Sequence, residues 1–161
     1  MKAFKTFGMV MVLALALAMG AGCAKKNTEA DTAAPVADSG NAALDAAAQQ
    51  ITDGIVYFDF DKYDIKAEYR DMLQQKAELM KQYPSIKVRI EGNCDERGTQ
   101  EYNLALGERR ARAAYEYMIR LGVPADQLEM ISFGKERPAV QGSGEAVWSK
   151  NRRDDFNVIA R

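Results

Sequence analysis

The chain has 161 residues, a formal net charge of −1 and no histidine. Its length suits one ordinary domain with residues to spare. The lack of His excludes Ser-His-Asp and Cys-His catalysis, together with zinc sites that depend on His ligands. A net charge near zero does not indicate a nucleic-acid surface. We therefore expect no metal, no cofactor and no nucleic-acid partner.

The first 22 residues have the pattern of a secretory signal peptide. Two lysines precede an uncharged stretch, residues 6–22, whose centre is strongly apolar and whose end is rich in small residues. A retained membrane anchor is the alternative, although the apolar run is short for a spanning helix. Cys23 resembles the lipid-modified Cys of bacterial lipoproteins, apart from Gly20, which stands where Leu is usual. We predict a cleaved signal peptide over residues 1–22 and a lipid anchor on Cys23.

Residues 23–50 are predicted to form a flexible linker. Residues 24–50 contain ten Ala among small polar residues and no aromatic side chain. A segment of this composition buries too little apolar surface to offset its ordering entropy. We expect at most a transient helix there, and no effect on domain stability when part of 30–48 is deleted. Because 12 of the 14 aromatic residues lie within 57–161, the folded domain is placed at residues 51–161.

The domain itself alternates between strand and helix patterns. Strands are predicted over 55–61, 87–91, 128–133 and 156–160; helices over 66–83 and 101–121, with a short helical turn over 145–150. Pro84 ends the first helix, and Gly122 ends the second. This order, β-α-β-α-β-β, predicts an α+β domain whose mixed four-stranded sheet carries helices on one face.

The most polar stretch joins the second strand to the second helix. Asn103, Leu106 and Arg110 are spaced by three and four residues and share one helix face. The predicted core face of that helix is a different one: Leu104, Ala111, Ala114, Tyr115 and Met118. The loop with Asp95 lies at the helix N-terminus, so a carboxylate, a guanidinium and free backbone N–H groups converge.

Such a pocket suits a zwitterion. Asp95 would pair with an ammonium group, and Arg110 would hold a carboxylate through two parallel hydrogen bonds. The alternative is a solvated helix face with surface ion pairs, and periodicity alone leaves both interpretations open.

Four sequence motifs point to a known family. They are Val56-Tyr-Phe-Asp-Phe-Asp61, Gly92-Asn-Cys-Asp-Glu-Arg-Gly-Thr99, Leu106-Gly-Glu-Arg-Arg-Ala111 and Ser149-Lys-Asn-Arg-Arg153. In this order they resemble the OmpA-like peptidoglycan-binding domain family over about 105 residues. The resemblance implies an OmpA-like fold and non-catalytic binding of the diaminopimelate in peptidoglycan stem peptides.

The resemblance also implies which side chains bind. Asp95 and Arg110 match the positions that hold the zwitterionic end of diaminopimelate. The other matching contact positions are Phe60, Asp61, Asn103 and Leu106. We expect Asp95 and Arg110 to be needed for binding and not for folding.

The family's lipoproteins imply a location and partners. The protein is expected in the bacterial outer membrane, facing the periplasm, as part of the Tol–Pal envelope system with TolB and other Tol proteins. Ala24 after Cys23, in place of Asp, favours the outer membrane. Two alternatives stay open: an OmpA-family wall anchor without Tol partners, and a wall-cleaving enzyme built on Glu91, Asp95 and Glu96.

Overall fold

The structure, a computed structural model, describes residues 38–161. The predicted signal peptide, the lipid site at Cys23 and the first part of the predicted linker lie outside these residues and stay predictions. Between residues 38 and 161, no helix combines the length and the apolar character that crossing a membrane requires.

The described residues form four α-helices, four strands and two short 3-10 helices. The α-helices are α1 (Asp38–Thr52), α2 (Arg70–Gln82), α3 (Gln100–Arg120) and α4 (Glu145–Asn151). The strands are β1 (Val56–Tyr57), β2 (Lys87–Asn93), β3 (Leu128–Gly134) and β4 (Arg153–Ala160). The 3-10 helices, Ala67–Tyr69 and Ala125–Gln127, precede α2 and β3.

The four strands form one mixed sheet in the order β1-β4-β2-β3. β2 and β3 run parallel, and β4 runs antiparallel to both β1 and β2. Val88, Ile90 and Phe156 are buried in the core with residues of α1, α2 and α3. On the opposite face, Arg89 and Glu129 pair across β2 and β3 at 3.1 Å. The predicted α+β fold, with its helices on one face, is confirmed.

The linker prediction is wrong for residues 38–50, which belong to α1. Ala47, Ala48 and Ile51 are 3, 5 and 0% exposed and join the core, while Leu44 packs against it. These four residues recur at three- and four-residue spacing and form a narrow apolar stripe on one helix face. Composition averaged over the whole segment conceals that stripe. The folded unit therefore begins before residue 51, and a deletion that reaches Ala47 will destabilise it.

Two strands differ in length from the prediction. β1 contains only Val56–Tyr57, because the chain turns after Phe58: the Lys62 N–H donates to the Asp59 carbonyl at 3.2 Å. β4 begins at Arg153 instead of residue 156, because its two aspartates continue the pairing with β2. The polar start of β4 therefore belongs to the sheet.

The predicted core face of α3 is confirmed for Ala111, Ala114 and Met118, which are buried, and Tyr115 packs against the core, but the prediction is wrong for Leu104. Leu104 is 49% exposed. The buried residues form one continuous stripe: Asn103, Leu106, Gly107, Arg110, Ala111, Ala114 and Met118. A Cβ on Gly92 would overlap the Gly107 carbonyl oxygen, so α3 lies directly on β2 at this point. That close approach orients the helix, and the site residues and core residues share one face.

Candidate functional site

A cavity of about 230 Å³ lies between the turn after β1, the loop after β2 and the first half of α3. Its lining residues are Phe60, Asp61, Cys94, Asp95, Arg97, Gly98, Tyr102, Asn103, Leu106, Arg110 and Arg152. All six residues predicted to contact peptidoglycan are among them. The structure thus brings these six side chains together, while their role in binding stays a prediction.

Asp95 lies at the centre of an arginine cluster. Its carboxylate is 5% exposed and accepts hydrogen bonds from Nε and Nη2 of Arg97 at 3.1 and 2.6 Å, and from Nη1 of Arg152 at 3.4 Å. Burial alone would raise the pKa of Asp95, but these bonds and the Arg97 backbone N–H keep that pKa below its ordinary value. Asp95 is therefore an ionised acceptor that already has two cationic partners.

Arg97 covers Asp95 on the side that faces solvent. Its guanidinium lies 4.2 Å from the ring centroid of Phe60 and 4.0 Å from that of Trp148, so it stacks between two aromatic faces. Trp148 is itself held by a hydrogen bond from Nε1 to Glu96 at 2.9 Å. The Arg97 side chain remains 32% exposed, whereas that of Arg152 is 6% exposed. A cation that approaches Asp95 from solvent meets Arg97 first.

Arg110 is completely buried, and its hydrogen bonds connect two other segments of the backbone. Its Nε donates to the Lys62 carbonyl at 2.9 Å, Nη1 donates to the Asn93 carbonyl at 2.9 Å and to Cys94 Sγ at 3.4 Å, and Nη2 donates to the Asp59 carbonyl at 3.3 Å. Burial lowers the pKa of Arg110. These bonds connect the turn after β1 to the end of β2.

These contacts count against two predictions made from the sequence: that Arg110 is not needed for folding, and that it holds a carboxylate through two parallel bonds. The hydrogen bonds of the guanidinium join separate parts of the backbone, as expected of a residue that supports the fold. Four of its five N–H groups already bond to the described residues, so one N–H on Nη2 remains for a ligand. Two parallel bonds to a carboxylate would require the guanidinium to give up the Asp59 carbonyl.

The turn after β1 presents an exposed aromatic ring and a strained aspartate. Phe60 is 60% exposed, and Asp61 has φ = +56°, in the left-handed region that non-glycine residues seldom occupy. The Tyr102 hydroxyl donates a hydrogen bond to Asp61 Oδ1, and this bond raises the pKa of Tyr102. Arg110 holds the backbone of the same turn, which offsets the cost of this conformation.

Asn103 and Leu106 shape the cavity from α3. The Asn103 side-chain amide donates to the carbonyls of Arg97 and Thr99 at 2.6 and 3.0 Å, which fixes the loop above the helix. Thr99 caps the helix by accepting the Tyr102 N–H at 3.2 Å. Leu106 is 6% exposed and supplies apolar surface to the cavity.

Five lining residues were not predicted from the sequence: Cys94, Arg97, Gly98, Tyr102 and Arg152. The two arginines stand inside the motifs that carry the family resemblance, but no periodicity links residues 97 and 152. The two arginines come together at Asp95 because β4 starts beside the end of β2, which places Arg152 next to Asp95. Within the described part of the chain, no group of three potential metal ligands gathers.

Comparison with known proteins assigns the fold to a family. The family model described as the OmpA family matches residues 57–152, more than half of the chain. The chain belongs to the OmpA family. This membership confirms the resemblance in the sequence motifs.

Relatives of this OmpA-family chain include the "Peptidoglycan-associated lipoprotein" of Pasteurella multocida, 53% identical over 98 residues. That alignment covers 61% of this chain and only 65% of the relative's length. The protein of the same name from Brucella melitensis is 38% identical over 136 residues, covering 83% of this chain and 81% of the relative. Both names describe a lipoprotein that is associated with peptidoglycan.

Solved structures give the same fold. The crystal structure of the peptidoglycan-associated lipoprotein from Burkholderia pseudomallei has a TM-score of 0.66 and 46% identity, covering 68% of this chain and 92% of that one. The C-terminal domain of Helicobacter pylori MotB has a TM-score of 0.62 at 18% identity, covering 67% of this chain and 85% of that domain, a likeness of fold alone.

Proposed function

We propose that this OmpA-family chain is a non-catalytic tether between the outer membrane and the cell wall. Lipid on Cys23 anchors one end, and the cavity beside α3 binds the diaminopimelate of peptidoglycan stem peptides at the other. The observation that carries the proposal is that one cavity is lined by all six residues predicted from the sequence to bind peptidoglycan, including Asp95 and Arg110. The names of the relatives support it, since each describes a lipoprotein associated with peptidoglycan.

The charges around the cavity suit an amino-acid end that carries both signs. Three arginines line it, Arg97, Arg110 and Arg152, together with two aspartates, Asp61 and Asp95. The excess of positive charge favours entry of a carboxylate, and the aspartates favour an ammonium group beside it. A zwitterion satisfies both without leaving a buried charge unpaired.

Binding of an ammonium at Asp95 requires an exchange of partners. Arg97 is the more exposed of the two arginines on Asp95, and Arg152 is fixed by a further hydrogen bond from its Nε to the Phe58 carbonyl at 3.0 Å. We therefore assign Arg97 as the group that an incoming ammonium displaces. Asp95 then keeps Arg152 and gains the ligand as its second partner.

Titration with two muropeptides tests this assignment. The purified protein is titrated with a stem peptide that contains diaminopimelate, and with the same peptide that contains Lys in its place. Lys lacks the second carboxylate, so we expect it to bind at least about 30-fold more weakly. Asp95→Asn should weaken binding of the diaminopimelate peptide by a similar factor, because the ligand ammonium loses its counter-charge.

Arg109 offers a matched control on the same helix. Arg109 is exposed and directly precedes the buried Arg110 in the sequence. Arg109→Ala therefore removes a positive charge without changing a residue that lines the cavity. We expect binding by this variant to stay within about twofold of the wild type. Equal binding of the two peptides by the wild-type protein contradicts the zwitterion site.

We also propose that the protein is part of the Tol–Pal system, with TolB as its periplasmic partner. This part of the proposal rests on the resemblance of the sequence motifs. Affinity purification of the membrane-extracted protein should recover TolB. Recovery of peptidoglycan fragments without any Tol protein would favour the other interpretation, an OmpA-family wall anchor that works alone.

A further inference from the structure

A buried carboxylate lies next to the proposed binding site but outside the cavity lining. Asp154 on β4 is 0% exposed, and no residue in 38–161 donates a hydrogen bond to either of its carboxylate oxygens. It stands opposite Val56 on β1 and Gly92 on β2. A buried carboxylate without donors is costly, so its presence needs an explanation.

The register of the sheet directs Asp154 toward α3. Side chains alternate along a strand, so Asp154 points to the same face as Phe156, which is part of the helix-covered core. Its neighbour Gly92 abuts Gly107 of α3. Arg110 follows Gly107 by three residues on the buried face of that helix. Asp154 and Arg110 are therefore buried in the same layer between sheet and helix.

Arg110 is the cation on α3 whose charge acts on Asp154, although the two side chains form no direct ion pair. Its guanidinium bonds to three carbonyl oxygens and a sulfur, and among the described residues no carboxylate forms an ion pair with it. Burial raises the pKa of Asp154 well above its ordinary value, and the charge of Arg110 opposes that rise. The other charged or titratable groups near this pair are Cys94, Asp95, Arg152, Arg153 and Asp155.

We propose that Asp154 is a positioning residue of the cavity: its ionised form competes with a ligand carboxylate for the charge of Arg110, so binding of that carboxylate shifts Asp154 toward its protonated form. The inference rests on the proposed function. One buried cation can neutralise one anion, and a second carboxylate in the same dry site repels the first. A ligand carboxylate and an ionised Asp154 therefore repel each other beside Arg110. Protonation of Asp154 removes this repulsion and allows the ligand carboxylate to bind.

The sign of the resulting pH dependence follows from linkage. Because the bound carboxylate stabilises protonated Asp154, the complex holds more protons than the free protein over the interval between the two Asp154 pKa values. Affinity for the diaminopimelate peptide should therefore fall as pH rises, by at most about tenfold per pH unit. A Lys peptide lacks the second carboxylate and should bind without this proton uptake.

Calorimetric titration between pH 5 and 9, in buffers of different ionisation enthalpy, measures the proton uptake directly. We expect the wild-type protein to take up protons with the diaminopimelate peptide. Asp154→Asn, which keeps the shape and removes the charge, should bind with a flat pH profile. Asp155→Asn is the matched control: it removes the adjacent carboxylate, which pairs with Arg153 at 2.9 Å on the opposite face, and should retain the uptake.

The outcomes separate the inference from the proposed function. Binding by the wild-type protein without proton uptake overturns the role of Asp154 and leaves the zwitterion site intact. A pH profile for Asp154→Asn that matches the wild type also overturns it. Failure of the wild-type protein to bind the peptide at any pH overturns both. If Asp154→Asn fails to fold, the proton uptake of the wild-type protein alone decides whether Asp154 has the proposed role.

Discussion

At the scale of single residues, Arg110 lies in the proposed binding site and also holds the backbone of neighbouring segments, two roles that were expected to be separate. The sequence analysis placed it at the binding site because its spacing from Asn103 and Leu106 defined a helix face. The structure places it at 0% exposure, where it also donates hydrogen bonds to three backbone carbonyls in two other segments, the turn after β1 and the end of β2. Periodicity reveals which face a residue occupies. It does not reveal which distant backbone groups that face will meet.

Arg110→Lys should therefore lower stability as well as binding. An ammonium is a compact charge with three donors, and it cannot span three carbonyls that a planar guanidinium reaches at once. Loss of at least one buried charged hydrogen bond should reduce the free energy of unfolding by about 2–3 kcal/mol. Urea denaturation measures this reduction. The exposed neighbour gives the control, because Arg109→Lys should change stability by less than about 0.5 kcal/mol.

At the scale of elements, the long helices were the most predictable part of the fold. Pro84 and Gly122 mark the ends of α2 and α3 in the sequence, and both helices end where those residues require. α1 and β1 were less predictable, because what stabilises them is distant in sequence. α1 depends on its packing against α2 and β4, and β1 is short because Arg110 and the turn after Phe58 draw the chain away from the sheet.

Lys76 joins α2 to the end of α1 and gives this contact a pH dependence. Its Nζ is buried and donates a hydrogen bond to the Ile51 carbonyl at the C-terminus of α1. Burial lowers the pKa of Lys76 from 10.5 to about 8, and Asp53 opposes this shift. The folded protein therefore releases this proton at a lower pH than the unfolded chain does. Stability contributed at Lys76 rises with pH between about 8 and 10.5.

Comparison of the wild-type protein with Lys76→Met isolates this effect. Between pH 8 and 9, wild-type stability should gain about 1 kcal/mol relative to the variant, measured by urea denaturation at each pH. Above pH 9 the raised pKa of Cys94, about 11, opposes the gain in both proteins, and the difference between them removes that contribution. Lys81→Met on the exposed side of the same helix should follow the wild type. A constant difference between wild type and Lys76→Met would contradict the lowered pKa.

At the scale of the whole molecule, the position of α1 changes the reach of the proposed tether. Residues 23–50 were predicted from their composition to be a linker, but helix α1 begins at Asp38. The 15 residues from Cys23 to Ala37 span at most about 50 Å even when fully extended, because a chain advances by about 3.5 Å per residue. If Cys23 carries the proposed lipid, this short segment sets the greatest distance between that lipid and the start of the folded domain.

A tether must attach to the membrane and to the cell wall at the same time, and separate substitutions can remove each attachment. Cys23→Ser removes the sulfur that would carry the lipid, so this variant should stay unprocessed and lose lipid-mediated attachment to the membrane, while its domain still sediments with purified sacculi. Asp95→Asn should remain in the membrane and lose at least about 30-fold in sacculus binding. Only the wild-type protein should draw membrane vesicles onto sacculi, because two linked sites raise the effective concentration of each partner at the other. The measurement is co-sedimentation of lipid with sacculi, and co-sedimentation by either variant at the wild-type level would show that the two sites do not act together.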